Sequence, residues 1–142
     1  MNSTATIFAR LTGDATLVAL LDTHNGSPAI FNDRAPDAYI VGPKPGLVIA
    51  APTEDRPVET FTERSRQITR DVRGYAPDTG STLALDTVME RVRDLFHNLP
   101  ASLTVSGGTV QIARASGPAA SPTTDPALIG RRVTLRLEIQ EA

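Results

Sequence analysis

Residues 79–100, TGSTLALDTVMERVRDLFHNLP, carry the pattern that decides the fold. At about 100° per residue, the apolar side chains of this stretch fall in one arc roughly 120° wide, and charged or amide side chains occupy the rest. The apolar side chains are those of Leu85, Val88, Met89, Val92, Leu95, Phe96 and Leu99. The stretch therefore predicts a helix with one buried face, capped by Thr79 or Ser81 and ended by Pro100.

That face needs an apolar surface to lie on, and two long segments predict the strands of a sheet. Across residues 132–140, apolar and polar residues alternate, which indicates a strand with one buried and one solvated face. Residues 60–75 have β character without clean alternation, and Arg70 lies between Ile68 and Val72 on one face. They predict a long polar strand that partly overhangs the core.

Shorter apolar segments predict the remaining elements. Residues 47–51 indicate a buried strand, and residues 29–31 indicate a short edge strand. Residues 4–22 predict a helix interrupted at residues 12–14, or two short helices in tandem. Residues 103–112 contain two apolar tripeptides around Ser-Gly-Gly-Thr, which predicts a hairpin.

Two further segments predict exposed loops. Residues 35–46 are rich in proline and glycine, and residues 115–126 are small, polar and proline-bearing. We expect both to be extended, and mobile until the protein assembles. The order α-β-β-β-α-β-β-β predicts one α+β domain over residues 1–142: a two-layer fold whose mainly antiparallel sheet carries two helices on its single apolar face.

Composition excludes several classes of site. The chain has no cysteine, so disulfides and thiolate metal sites cannot form. The formal net charge of −2 gives no general attraction to nucleic acid or to membranes. No run approaches the roughly 20 apolar residues of a membrane span, and the N-terminus has no signal-peptide pattern.

The sequence also lacks a motif that would carry chemistry. His24 and His97 are the only histidines, and neither lies in a metal-binding spacing. The glycine- and proline-rich segment 42–46 is no phosphate-binding loop, because its prolines remove the amide donors that such a loop requires. We therefore predict no catalytic, cofactor-binding or metal-binding residue, and no enzymatic activity.

Arginines cluster on two predicted strands, at residues 64–73 and 131–136, and thirteen of the fourteen cationic residues are arginine. If these strands pair, one sheet face could carry a basic stripe, and an uncompensated stripe would favour nucleic-acid binding. Acidic residues are interleaved, however, so a cross-strand ion-pair lattice or a subunit interface is the favoured interpretation. The candidate interface comprises a polar sheet face and part of the first loop, namely Arg66, Arg70, Arg132, Arg136, Glu138, Lys44 and Pro45.

The succession of elements resembles the tail terminator, or tail completion, proteins of long-tailed bacteriophages and related gene transfer agents. The resemblance lies in element order and apolar spacing over nearly the whole chain, with no invariant catalytic signature. It rests on Leu17–Leu21, Ile30-Phe31 and the loop after it, the strand Arg66–Tyr75, the helix with Met89–Leu95, Leu103–Gly108, a loop with Asp125, and the strand Val133–Ile139.

The resemblance implies structural work in a virion. Such proteins form rings, typically hexamers, that end the tail tube and join it to the head connector. The implied partners are other copies of the chain, the tube protein and a connector or neck protein, with DNA passing through the lumen without specific binding. The implied location is the tail or neck of a particle assembled in the host cytoplasm. Two alternatives stay open: another neck or head-tail connector protein, and a small nucleic-acid-binding module.

Overall fold

The computed structural model describes residues 2–37, 39–60 and 62–142. Its helices and strands follow one another along the chain, with a short 3₁₀ turn at Pro100–Ser102. They are α1 (Ser3–Thr12), α2 (Ala15–Leu20), β1 (Thr23–His24), β2 (Ser27–Pro28), β3 (Ile30–Asn32), β4 (Gly46–Ile49), β5 (Glu54–Glu59), β6 (Arg64–Pro77), α3 (Leu83–Phe96), β7 (Gly108–Ala120) and β8 (Leu128–Glu141).

The main sheet has the strand order β3-β4-β6-β8-β7, and β5 pairs with the first part of β6. Every pairing in it is antiparallel except that of β3 with β4, and β1 with β2 forms a separate small ribbon. The longest ladder joins β6 to β8 through thirteen consecutive pairs, from Ser65 opposite Gln140 to Pro77 opposite Leu128. β6 is therefore the central strand, with β4 and β5 in succession on one side and β8 on the other.

Helix α3 covers one face of this sheet, as its sequence predicts. Its six buried apolar side chains share one core with those of β4, β6, β7 and β8. Gly74 of β6 permits the close approach, because a methyl group there would lie 2.5 Å from the sulfur of Met89. Two details of the prediction were wrong. The N-cap residue is Thr82, and Leu99 lies beyond the end of the helix, 43% exposed.

The N-terminal segment forms two short helices in tandem, as predicted. Asp14 caps α2 by accepting a hydrogen bond from the amide of Leu17 at 2.9 Å. The same carboxylate accepts two hydrogen bonds from Arg91 of α3, at 2.8 and 2.9 Å. These hydrogen bonds from Arg91 hold the pKa of Asp14 below its ordinary value. One side chain thus caps a helix and joins it to α3.

The predicted hairpin at residues 103–112 was wrong. Leu103 and Val105 are buried, but they lie in an irregular segment beside α1, where the carbonyl of Thr104 accepts a hydrogen bond from Thr6 at 2.9 Å. Only the second tripeptide enters a strand, and that strand pairs with β8. Apolar runs around Ser-Gly-Gly-Thr fit a hairpin, but the buried side chains here fill the end of the helix layer instead.

The predicted loop at residues 115–126 was also wrong over its first half. β7 continues to Ala120 and pairs with β8 on both sides of a bulge between Ser116 and Ala119. Gly117, at φ 112°, and Pro118 occupy this bulge, and both residue types suggest a loop in the sequence. The exposed turn is confined to residues 121–127. The other predicted loop, residues 35–46, contains no strand before Gly46, and its Ala38 lies outside the described residues.

Strand β5 was missed. Its segment is charged and contains Pro57, features that disfavour a central strand but are tolerated at an edge. It pairs with β6 from Glu54 opposite Thr69 to Glu59 opposite Arg64. The outer strand of this hairpin is almost wholly exposed, whereas from Ser65 onward its inner strand also pairs with β8. The overhang predicted for β6 is therefore limited to the hairpin tip, beyond the pairing with β8.

The predicted α+β class is confirmed: helices cover one face of a mainly antiparallel sheet, and the other face is open. Buried side chains from α1, α2 and α3 join those of the sheet in a single apolar cluster. Every surface available for function is therefore either the outer side of the helices, the open face, or a strand edge.

We predict that Leu95→Ala lowers the free energy of unfolding by about 3 kcal/mol, because it leaves a cavity where α3 meets the sheet. Leu95 is 3% exposed, whereas Leu83 on the same helix is 74% exposed. The matched variant Leu83→Ala should therefore change stability little. Urea denaturation followed by circular dichroism measures both. Equal costs at the two positions would contradict the assigned helix face.

Candidate interface on the open face of the sheet

The register of β6 against β8 divides the predicted interface residues between two faces. Arg66 and Arg70 lie opposite Ile139 and Leu135, so both point to the helix side. The side chains of β8 alternate between the two faces of the sheet. Those of Arg132, Arg136 and Glu138 therefore point to the open face, away from Ile139 and Leu135. The prediction of one shared polar face was wrong, because residues two apart on a strand share a face and Arg70 lies between the buried Ile68 and Val72.

Arg70 holds the fold together from within. It is 4% exposed and donates two hydrogen bonds to the carbonyl of Ala50, at 2.9 and 2.8 Å. It also donates to the hydroxyl of Ser3 at 3.0 Å and to that of Thr4. Burial lowers its pKa below the ordinary value. Arg70 thus ties the end of β4 and the start of α1 to the central strand, and it is no surface residue.

Arg66 has a different role, in the hairpin that β5 and β6 form. Its guanidinium donates to one oxygen of Asp55 at 2.8 and 3.0 Å, and a second carboxylate, Glu141, lies 4.0 Å away. The hydrogen bonds to Asp55 raise the pKa of Arg66. This ion pair joins β5 to β6 on the helix side, at a site open to solvent.

The two candidates in the first loop also differ from each other. Lys44 is exposed, and its ammonium group donates to the carbonyl of Ala19 at 3.3 Å. Pro45 is buried, and its carbonyl accepts a hydrogen bond from the amide of Asp22 at 2.9 Å. Pro45 therefore supports the loop from inside, and its predicted place on an exposed surface was wrong.

Asp22 fastens this loop to the rest of the fold. Its carboxylate accepts hydrogen bonds from the hydroxyl of Tyr39, at 3.2 Å, and from the amide of Gly42, at 3.1 Å. Burial, together with the charge of Asp22, raises the pKa of Tyr39 to about 12. The ring of Tyr39 packs edge-on against His24 and at a tilt of 56° against Phe31. Next to this fixed point, Ile40 is 85% exposed at the tip of the loop.

Four arginines form a diagonal row across the open face, and we call Arg73, Arg132, Arg136 and Arg114 the arginine stripe. Arg73 on β6 lies directly opposite Arg132 on β8, and Arg136 lies directly opposite Arg114 on β7. No ion pair between described residues involves any of the four. Sequence reasoning missed Arg114, because its segment reads as the start of a loop.

The predicted ion-pair lattice is therefore absent from the stripe, within the described residues. The nearest carboxylates on this face belong to Asp71 and Glu138. Asp71 is 6% exposed and accepts a hydrogen bond from Thr134 at 2.7 Å, and Glu138 lies opposite Gln67. Cross-strand and interlayer ion pairs do occur elsewhere, as between Arg131 and Asp86 at 3.3 Å. Like charges directly opposite one another in a sheet are destabilising, so the isolated chain carries repulsion along the stripe.

A groove adjoins one end of the stripe. Its volume is about 480 Å³, and it lies between the first loop and the turn at residues 121–127. Phe31, Tyr39 and Tyr75 contribute aromatic walls, and Arg73 extends into it. The Nε of Arg73 is the one buried side-chain nitrogen or oxygen of the described residues that has no hydrogen-bond partner.

Within residues 2–37, 39–60 and 62–142, no three histidine or acidic side chains gather as they would around a metal ion. His97 is structural: its Nδ1 accepts a hydrogen bond from the amide of Ala115 at 3.2 Å. None of the helices in those ranges has the length and apolar character needed to cross a membrane.

No protein-family model and no curated protein matches the chain. Among solved structures, the fold is similar to that of a chain in the virion of a native gene transfer agent (GTA) particle. The two chains share 15% sequence identity, and the match covers 96% of this chain and 92% of the other with a TM-score of 0.75. At that identity the match establishes a shared fold over nearly the whole length.

Arg70→Lys should lower the free energy of unfolding by about 2–3 kcal/mol, because an ammonium group cannot replace all the hydrogen bonds of the buried guanidinium. Arg66→Lys provides the matched control on the same strand and face, and its unfolding midpoint should stay nearly unchanged. Urea denaturation measures both variants. An Arg70→Lys protein as stable as the parent would refute the internal role of Arg70.

Proposed function

We propose that this protein is a non-enzymatic structural subunit of a phage-like particle, a tail terminator whose copies close into a ring of six on the end of the tail tube. The observation that carries the proposal is the fold shared with a GTA-particle chain over 96% of the sequence. The implied partners are other copies of the chain, the tube protein and a head-tail connector, in a virion assembled in the host cytoplasm.

The strand edges supply the two different patches that a closed ring requires. A cyclic assembly joins one patch of each subunit to a different patch of the next. In the described residues, β5 and β7 each have a free edge, and these edges lie on opposite sides of the sheet. Long exposed edges readily pair with strands of another chain. We place the subunit contacts there.

Exposed apolar side chains on both edges support this placement. Val58 on β5 is 38% exposed and Ile112 on β7 is 39% exposed. Both lie on the open-face side of their strands, by their pairing with Ser65 and Glu138. Edge-to-edge contact would bring two such side chains towards each other across the interface and remove both from water.

Edge-to-edge closure of the ring also determines which face of the sheet points outward and which points into the lumen. The outer circumference of a ring is longer than the inner one, so the bulkier helix layer belongs outside. The open face then lines the lumen, with Arg132, Arg136 and Glu138 on the inner wall. Lys44 and the exposed Ile40 stand on the first loop, where they are available to the tube or the connector.

We expect the purified chain to form rings of about 91 kDa, which corresponds to six copies of 15.1 kDa. Replacing residues 58–65 by Asn-Gly shortens the hairpin and keeps Pro57 opposite Arg66. This variant should stay folded and become monomeric. Light scattering during size-exclusion chromatography measures the mass, and electron microscopy shows whether rings form.

Leu83→Ala, on the outer side of the helix layer, is the control and should still assemble. A parent chain that stays monomeric at all concentrations and never joins purified tail tubes would refute the terminator ring. Binding to heads in place of tubes would favour the alternative of another neck or connector protein.

A further inference from the structure

The arginine stripe lowers the stability of the isolated chain, because like charges lie directly opposite one another. Within each of its two like-charge pairs, Arg73 with Arg132 and Arg136 with Arg114, the Cβ atoms lie roughly 5 Å apart on directly opposed residues. Along β8 the two pairs are about 13 Å apart, four residues of extended strand. Repulsion of this kind is relieved when an anion binds between the charges, so the stripe points to a ligand with several negative groups.

The surroundings of the stripe suit a phosphate backbone. Hydroxyl-bearing residues Thr134 and Ser116 lie on the same face between the two arginine pairs, and Thr69 lies directly opposite Arg136. Hydroxyl and guanidinium groups are the usual partners of nucleic-acid phosphates, and arginine can bind a phosphate through two parallel hydrogen bonds. Asp71 and Glu138 carry the opposing charges on this face. Asp71 is buried and accepts a hydrogen bond from Thr134, and Glu138 is half-buried beside the Arg136 end of the stripe.

The groove extends the stripe at its Arg73 end. The Nε of Arg73 is buried there without an acceptor, and the same groove is lined by Tyr75 and Phe31 and by the carboxylate residues Asp33 and Asp125. Aromatic rings beside cationic groups are typical of surfaces that track a nucleic-acid strand without reading its sequence.

We propose that the arginine stripe contacts the phosphate backbone of DNA independently of base sequence. In the proposed ring, whose inner wall is the open face, this contact would act on DNA in the lumen, and to that extent it rests on the proposed function. The binding itself requires only the open face of one chain.

A second copy of this chain offers no matching anionic surface. Its exposed carboxylates without an ion pair are spread over the loops, the hairpin tip and α3, at Asp33, Asp37, Glu59, Glu63, Asp78, Glu90 and Asp125. Of these, Asp33 and Asp125 line the groove beside Arg73. Duplex DNA, in contrast, presents a continuous line of phosphates, one charge per 1.7 Å of axis. The stripe therefore fits nucleic acid better than another copy.

The test is a titration of a fluorescent 20-base-pair duplex with the full chain, followed by anisotropy at several salt concentrations. Light scattering of the same samples reports the oligomeric state. Four phosphate contacts per chain predict a slope of log affinity against log salt of about −3.6. Arg132→Gln with Arg136→Gln should weaken binding at low salt at least about tenfold and reduce the magnitude of the slope by about two.

The matched control is Arg64→Gln with Arg93→Gln, which removes the same charge away from the open face and should leave binding nearly unchanged. Because the stripe is self-repelling, the stripe variant should also melt no lower than the parent. Three results would overturn the inference: no duplex binding at low salt, equal loss in both double variants, or displacement of the duplex by poly-L-glutamate at equal charge concentration. A monomer that binds DNA through the stripe would refute the ring alone, and a ring that ignores DNA would refute the stripe alone.

Discussion

Thirteen consecutive residue pairs join β6 to β8, and their register fixes the side of the sheet on which each side chain of the central strands lies. Because side chains alternate along a strand, a shift of one residue would exchange the two faces completely. The observed register sends Ile68, Val72 and their β8 neighbours under α3, and it sends Arg73, Arg132 and Arg136 to solvent. Core and candidate functional surface are thus two consequences of one constraint.

The helix side completes this arrangement with polar contacts as well as apolar ones. Arg70 satisfies the carbonyl of Ala50, where the chain passes from β4 to β5, and it holds the first residues of α1. Asp14 performs a similar task between α2 and α3. These charged side chains serve the fold, whereas the unpaired arginines of the open face contribute repulsion to the isolated chain. Their cost to stability is a physical reason to seek their purpose in assembly or ligand binding.

The sequence predicts the helices and strands whose periodicity is strong. Prediction fails where a residue type, such as glycine or proline, occurs both in loops and in strands. The apolar arc of α3 and the alternation in β8 predict both elements within a few residues. Gly117 and Pro118 suggest a loop although they occupy a bulge, and Pro57 hides an edge strand. Arg66 and Arg132 cannot be distinguished in the sequence, because only the strand register shows that they lie on opposite faces of the sheet. The missed Arg114 follows from the missed strand around it.

In the proposed ring, the strand edges and the open face are the working surfaces, and the helix layer supports them. Amide hydrogen exchange, compared between the dilute chain and its assembled form, tests this division most directly. Assembly through the strand edges should add protection at β5 and β7 and leave exchange in α1 and α3 unchanged. Added protection in the helices, with β5 and β7 unchanged, would contradict it.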